Sequence, residues 1–537
     1  MKKIFYIALL ALFSFFMVAC DETEYSFSIV VDNVSELRES IVLDLTLVDE
    51  HDELKDSEIK ATISKKDAST VLKTKTLTFG SDNKEELEFT GLEADKDYTI
   101  VVYAGYEGSK VTLHQENYKT TDEGTKENPY IIKSYTDFTN KVKKDSDGYF
   151  KISDEVEYID FDGKSISPLF TSSTPFVGHF DGNGKTIKNF KLADKNEDGS
   201  NKNVTSSSQY HGLFGYIEEG ATITNVTLEN FNVYVSRSTS LSSSKASYYG
   251  ILAGYSAGTI EKVTVVNSTL NVASTSKTKE VLYVGGLVGN LSKKGTLNEV
   301  SVAANISVSG VYDAVVGGVC ATTSNAARIT KTENDSIVNV ANISKTSFNG
   351  AIDVNLLGST TSVPTSVGAI LGKNYSALVD DCAAEGTITL KTSFTNVNSL
   401  TINVGGLVGW MVSDNSVLSN SVSKVTFSVE SLNVPTADDA KVTINAGLLV
   451  GRNGTTDSKS TISACEYQVG TVLNVINVTG SDKVVVRGGL VAYTASQYND
   501  CNVDAATSIT VNEYKAAVDG EDATIETTYN ININVAE

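Results

Sequence analysis

Tyr283-Val284-Gly285-Gly286-Leu287-Val288-Gly289 recurs, with substitutions, seven further times along the chain. The other copies are Gly212-Leu213-Phe214-Gly215, Gly250-Ile251-Leu252-Ala253-Gly254, Gly317-Gly318-Val319, Gly368-Ala369-Ile370-Leu371-Gly372, Gly405-Gly406-Leu407-Val408-Gly409, Gly447-Leu448-Leu449-Val450-Gly451 and Gly488-Gly489-Leu490-Val491. Counted from Gly212, Gly250, Gly286, Gly318, Gly368, Gly406, Gly447 and Gly489, successive copies lie 38, 36, 32, 50, 38, 41 and 42 residues apart. Self-similarity at that period belongs to solenoids, propellers and arrays, and it takes precedence over any local motif.

A second phrase follows each of the early copies. Thr222-Ile223-Thr224-Asn225-Val226-Thr227-Leu228 matches Thr259-Ile260-Glu261-Lys262-Val263-Thr264-Val265 and Thr296-Leu297-Asn298-Glu299-Val300-Ser301-Val302. Apolar residues alternate there with polar ones, as in a strand with one buried face. The glycine-rich copy reads as a short apolar strand with glycines at its ends, where a missing Cβ permits a sharp corner and a close backbone approach. Stacked coils would bury a ladder of Leu, Ile and Val. The chain has five prolines, so few ladder N–H groups are lost, and Pro364 and Pro435 fall between repeats. Propeller blades need four strands each and signature residues of their own. The expected fold is all-β: a right-handed parallel β-helix preceded by a small antiparallel β-sandwich.

The repeat resembles the GLUG motif, a Gly-Leu-any-Gly core found in bacterial surface proteins and some large secreted peptidases. The resemblance covers roughly residues 129–511 and implies a coil without implying an activity. Two copies depart from it, Val319-Cys320-Ala321 after Gly318 and Ala492 after Leu490-Val491, but both keep a small residue at the second corner.

Residues 1–20 read as an export signal. Lys2 and Lys3 precede an apolar run, Ile4 to Val18, that is too short for a membrane span. Met17-Val18-Ala19-Cys20 resembles a lipobox, which implies cleavage before Cys20 and lipidation of its thiol; the alternative is an ordinary signal peptide. Asp21-Glu22 resembles the acidic tag that sends lipoproteins to the outer face in one phylum of Gram-negative bacteria. In others, Asp after the cysteine retains the protein in the inner membrane. The expected address is the outer membrane, lipid-anchored and facing the exterior.

Residues 24–121 form a separate unit with short alternating runs such as Ile41 to Leu47. The stretch Gly91-Leu92-Glu93-Ala94-Asp95-Lys96-Asp97-Tyr98-Thr99-Ile100-Val101-Val102-Tyr103-Ala104 resembles a fibronectin type III strand. That implies a tyrosine corner from Leu92 and Tyr98, with Ile100, Val102 and Ala104 facing the core. The Trp such domains usually carry is missing, since the chain's one Trp is Trp410, so the resemblance is fibronectin-like or, more loosely, immunoglobulin-like. A linker, 122–128, leads to the repeats at 129–537. Asn128-Pro129-Tyr130-Ile131-Ile132 and the amphipathic Tyr135 to Val142 resemble the start of bacterial β-helix domains, where a helix caps the open coil. Phe176 to Ile187 resembles the first-coil phrase, and Asp181-Gly182-Asn183-Gly184 within it reads as turn chemistry. Ser/Thr/Asn-rich stretches between copies read as projecting loops.

The chain carries 44 Lys+Arg against 66 Asp+Glu, a net charge of −22. That balance argues against nucleic acid as a partner and against docking on anionic lipid. No cofactor is expected, although the acidity could favour Ca²⁺. Cys382, Cys465 and Cys501 align with, or within two residues of, the inward slot held by Val226, Val263 and Val300. They form either a ladder of buried thiols or, in an oxidising compartment, a disulfide between stacked coils; Cys320 stands apart.

Many right-handed β-helices cleave acidic polysaccharides, so a lyase or glycoside hydrolase is the competing class. Hydrolases need clustered carboxylates. Asp380-Asp381 and Asp438-Asp439 are the adjacent pairs within the repeats, each near a turn without Arg or His beside it. Neither a nucleophile elbow nor a zinc helix motif is present. The reading adopted is a non-catalytic surface scaffold, adhesin-like and glycan-contacting, with host or dietary glycans or matrix proteins as partners. A plain structural stalk is the third possibility. Tyr248, Tyr249 and Trp410, with Tyr255 and Tyr493, are the aromatics expected to stack on sugar rings.

Overall fold

The computed structural model describes residues 25–164, 166, 168–192, 209–237, 246–274, 281–311, 313–324, 340–356, 364–392, 400–431, 441–455, 460–468, 473–478, 484–494, 498–499, 501–503, 507–515 and 524–533. Cys20, Asp438 and Asp439 lie outside the described residues. The chain divides into two units, one up to Glu123 and one from Gly124 onward. Among the described residues no helix is long and apolar enough to cross a membrane.

The first unit is a small antiparallel sandwich. One sheet holds Phe27–Glu36, Ile41–Asp49 and Lys84–Phe89; the other holds Val71–Leu77, Ile59–Lys65, Asp97–Tyr106 and Ser109–Lys119. Alternation sends Ile41, Leu43 and Leu45 from one sheet and Ile100, Val102 and Ala104 from the other into one core. Tyr98 is buried there, and its hydroxyl accepts a hydrogen bond from the Glu93 N–H at 2.9 Å. That bond satisfies a polar atom which burial would otherwise leave unpaired.

The second unit is a parallel β-helix. Nearly all its strands pair in parallel with the equivalent strand of the next coil, in one sheet of 22 strands and one of 14 among the described residues. In-register pairing stacks like residues into columns. One inward column runs Phe180, Ile223, Ile260 and Leu297, and all four are buried. The column is apolar in every coil, so no rung leaves a gap beside its neighbours, which is the packing that holds a solenoid together.

In the third copy the glycine-rich phrase is two strands bent at its centre, Val281–Gly285 and Val288–Leu291, whereas in the last two copies it lies within one strand, Val442–Asn453 and Val484–Thr494. Pairing also corrects the glycine series by one position. The glycines in register are Gly250, Gly285, Gly317, Gly368, Gly405, Gly447 and Gly489. Gly286, Gly318 and Gly406 stand one residue later, at positions that carry Ile251 and Ala369 in other coils. Gly-Gly doublets leave that choice open in a sequence.

The second corner uses a different device. Asn225, Lys262, Glu299, Lys345, Asp381, Asn420 and Ala464 all adopt φ between 48° and 54°. A single left-handed residue turns the chain there, at a modest cost for a non-glycine residue. Just after this corner lies the slot of Val226, Val263 and Val300, and the register places Cys382, Cys465 and Cys501 in the same column. Among the described residues Cys320, Cys382, Cys465 and Cys501 are all buried and form no disulfide. Cys465 and Cys501 occupy neighbouring rungs with their thiols in hydrogen-bond contact. Asp181 to Gly184 lies inside the strand His179–Lys188 and bends it, with φ of 53° at Asn183 and 70° at Gly184.

Both ends are closed. At the start, Ser134 accepts from the Asp137 N–H and opens a short helix of one α-turn and one wide turn, Tyr135 to Val142. Phe138 is fully buried, its ring 5.1 Å from Phe161 and 6.0 Å from Phe180. At the far end, Thr524–Ile533 pairs antiparallel with Thr507–Lys515. That reversal occupies the edge which a further parallel rung would otherwise use.

Asp145 lies beside the first coil. Burial, then the hydrogen bond with Asp147, pushes its carboxyl up to about 6. A raised carboxylate pKa contributes stability that is complete below the ordinary value near 3.8 and lost as pH rises through about 6. Asp145→Asn should therefore stabilise the unit by about 1–3 kcal/mol at pH 7.5 and by almost nothing at pH 3.5. Denaturant unfolding at the two pH values tests this, and an equal gain at both would contradict the burial argument.

Candidate functional site

The bend at the in-register glycine brings two outward columns face to face. Two residues before that glycine stand Tyr210, Tyr248 and Tyr283, followed along the coil by Val315, Ser366, Asn403, Asn445 and Arg487. Four or five residues after it stand Tyr216, Tyr255, Asn290 and Thr322, then Lys373, Trp410, Arg452 and Tyr493. Ring contacts across the bend show the columns meeting. Tyr210 lies 5.2 Å from Tyr216 and 5.7 Å from Tyr255, edge to face, and the Arg487 guanidinium lies 5.0 Å from the Tyr493 ring. We call this double column the seam.

The near half of the seam is aromatic. Tyr210 stacks on Tyr248 at 5.5 Å, Tyr248 on Tyr283 at 4.9 Å, and Tyr216 on Tyr255 at 4.1 Å. In-register parallel strands hold successive side chains of a column about 4.8 Å apart, which suits offset ring stacking. Burial, and then the neighbouring Tyr210, pushes the Tyr248 phenol up to about 12, so it stays neutral and keeps its O–H as a donor.

The middle is polar and closely packed. The Asn445 side-chain amide donates to Asn403 Oδ1 at 2.8 Å, and Asn403 donates to Ser366 Oγ at 3.3 Å.

The far half alternates cations and rings. Lys373 Nζ lies 4.5 Å from the Tyr375 ring centre and 4.3 Å from that of Trp410. The Arg452 guanidinium lies 4.7 Å from Trp410 and 5.2 Å from Tyr493. Burial, and then the Arg452 charge, pushes the Lys373 ammonium down to about 8. Burial also lowers the Arg452 pKa, and its Nε is buried without a hydrogen-bond partner.

Of the aromatics singled out in the sequence, Tyr248, Tyr255, Trp410 and Tyr493 fall on the seam. Tyr249 does not. It points inward, fully buried, and stacks on His211 at 4.7 Å, because strand alternation sends neighbours Tyr248 and Tyr249 to opposite faces. Trp410 is a packed member of the seam rather than an open platform: it is 8% exposed and its Nε1–H donates to the Gly454 carbonyl at 3.4 Å. Sequence reasoning missed Tyr210, Tyr216, Tyr283, Lys373, Arg452 and Arg487. Their signal was the fixed offset from the corner glycine.

Of the carboxylates weighed for catalysis, Asp380 and Asp381 are described and Asp438 and Asp439 lie outside the described residues. Asp380 Oδ1 accepts from Ser419 Oγ at 2.7 Å and Asn420 Nδ2 at 2.8 Å on the next coil, while Asp381 is an exposed left-handed corner. His179 stacks on Tyr149 at 4.3 Å and its Nδ1 meets Thr222 Oγ1 at 2.9 Å, far in sequence from both. Among the described residues no group of three or more His, Cys, Asp or Glu could hold a metal ion.

No family model matches the chain. Over 147 residues it is 31% identical to a protein of Evansella cellulosilytica described as a Gly-rich membrane protein, covering 27% of this chain and 15% of that one. Over 198 residues it is 28% identical to Halomucin of Haloquadratum walsbyi, covering 35% of this chain and 2% of that one. The chain thus spans only a small part of the length of the curated relatives it matches. Among solved structures, an IgA1 protease is similar over 78% of this chain and 29% of its own, with a TM-score of 0.37 and 13% identity. A family 28 exopolygalacturonase of Yersinia enterocolitica is similar over 90% of this chain and 99% of its own, with a TM-score of 0.20 and 12% identity.

Proposed function

We propose that this chain is a lipid-anchored surface scaffold of the GLUG type that contacts glycans along the seam of its β-helix and catalyses no reaction. The observation that carries this is the double column of stacked tyrosines on the outer side of the coil. Stacking along the column turns the ring faces toward one another, so ring edges and phenolic O–H groups at a fixed spacing are what meet the hydroxyls of a sugar chain. A curated relative described as a membrane protein is compatible with a surface address. The first unit, read as fibronectin-like on the buried Tyr98 hydroxyl bond to Glu93, serves as a spacer.

Two measurements test the reading. Cys20→Ser should release the protein from the membrane fraction or stall its processing, because the lipid is the proposed anchor. A variant that stays membrane-bound and correctly cleaved would refute the anchor. Purified protein should bind members of a glycan array or mucin, and Tyr248→Ala should weaken that binding at least tenfold. Binding that survives the substitution would remove the seam from the account, and cleavage of a polysaccharide would move the protein into the enzyme class.

A further inference from the structure

We propose that the far half of the seam, where Lys373, Arg452 and Arg487 interleave with Tyr375, Trp410 and Tyr493, binds anionic sugar chains. This deepens the glycan-contact reading and rests on it.

The first ground is pairing. The chain is strongly acidic, with a net charge of −22, and several of its lysines pair with carboxylates. Lys65 meets Glu93 at 2.6 Å, Lys119 meets Asp95 at 2.7 Å, and Lys294 meets Glu219 at 2.6 Å. Lys373, Arg452 and Arg487 have no such partner among the described residues, although they stand on nearby rungs. Three like charges gathered in an acidic protein repel one another, and the burial of Lys373 and half-burial of Arg452 cost further. An arrangement of that kind is stabilised when an anion arrives.

The second ground is burial. Lys373 is 3% exposed, and its ammonium sits over the Tyr375 and Trp410 ring faces. Ring faces offset part of the desolvation cost but accept no ordinary hydrogen bonds. Arg452 leaves its Nε buried and unsatisfied. Both side chains thus hold donor capacity in reserve. A guanidinium presents a fork that matches a carboxylate or sulfate with two parallel bonds.

The third ground selects the class of anion. Tyr375 and Tyr493 are partly exposed beside the cations, so a ring face and a charge are offered together, which a sugar acid uses and a bare inorganic ion does not. A polyphosphate such as nucleic acid carries a charge at every few ångströms and would be repelled by the acidic remainder of the chain.

The test titrates purified protein with four probes: an oligogalacturonate, its methyl ester, a sulfated chondroitin oligosaccharide and a neutral glycan that binds the protein on the array. At least one acidic probe should bind, and the ester should bind at least tenfold more weakly than the free acid if the carboxylated chain is the ligand. Arg452→Gln and Arg487→Gln should each weaken acidic binding at least tenfold. Arg487 is exposed, so its variant tests the site even if Arg452→Gln folds poorly. Lys391→Gln, at an exposed lysine paired with Glu430, should change nothing. Acidic binding that survives both arginine substitutions overturns the assignment. Binding of the neutral glycan with neither acidic probe bound overturns it too, while leaving the wider glycan reading in place. Failure of all four defeats both.

Discussion

Gly447→Val is expected to destabilise the β-helix by about 3–5 kcal/mol, seen as a fall in the denaturant midpoint of unfolding. A Cβ at Gly447 would run into the Val450 carbonyl, with its carbon at 2.5 Å, and would stand 3.1 Å from the Ala492 nitrogen of the next coil. The same clash with the carbonyl three residues on recurs at Gly250, Gly285, Gly317, Gly368 and Gly405. None of these glycines has positive φ, so the constraint is space between backbones rather than conformational freedom. Backbone strands paired on both sides cannot step back as a side chain can. Gly184 is the control. Its φ is +70° but nothing lies within 4 Å of a Cβ there, so Gly184→Asn should cost no more than about 1 kcal/mol. Equal losses at both positions would show that the corner glycines are not held by close approach.

Deleting residues 516–537 is expected to make the protein self-associate more strongly than the full chain does, as concentration-dependent oligomers. The strand Thr507–Lys515 would then present its N–H and C=O groups along a bare edge, a template for another chain. The deletion also uncovers the core, since Ile531 packs within reach of Gly488 and Ile533 is buried. Sedimentation velocity across a range of concentrations reads the effect. A truncated protein that sediments like the full chain throughout would show that the antiparallel strand is not what closes this end.

Much of the coil was legible because its determinants are local and repeated. Val226, Val263 and Val300 mark an inward slot by alternation alone, and Cys382, Cys465 and Cys501 fall in that slot in the structure. The seam was harder to read, for a physical reason. Each column gathers residues from successive coils, and the two columns, such as Tyr210 and Tyr216, face each other only because the chain bends at the corner glycine. Alternation shows which residues share a face of one strand but not which two faces a bend will oppose. The choice between Tyr248 and Tyr249 needed the true register, and the Gly-Gly doublets had blurred that by one residue. Lys373 was overlooked because a lysine among polar residues reads as solvated, and only the stacked coil shows it held between two rings.

The constant rise between rungs, about 4.8 Å, makes the seam a ruled edge as well as a surface. In its near half the marks are alike: Tyr210, Tyr248 and Tyr283 present the same group at each step. A polymer shifted there by one rung exchanges one ring for another and loses little, so this half favours sliding. In the far half the marks alternate, Lys373, Trp410, Arg452, Tyr493, and the period doubles to two rungs, about 9.6 Å. A shift by one rung now sets charge against ring and ring against charge. One end of the edge would let a chain travel, and the other would fix its phase.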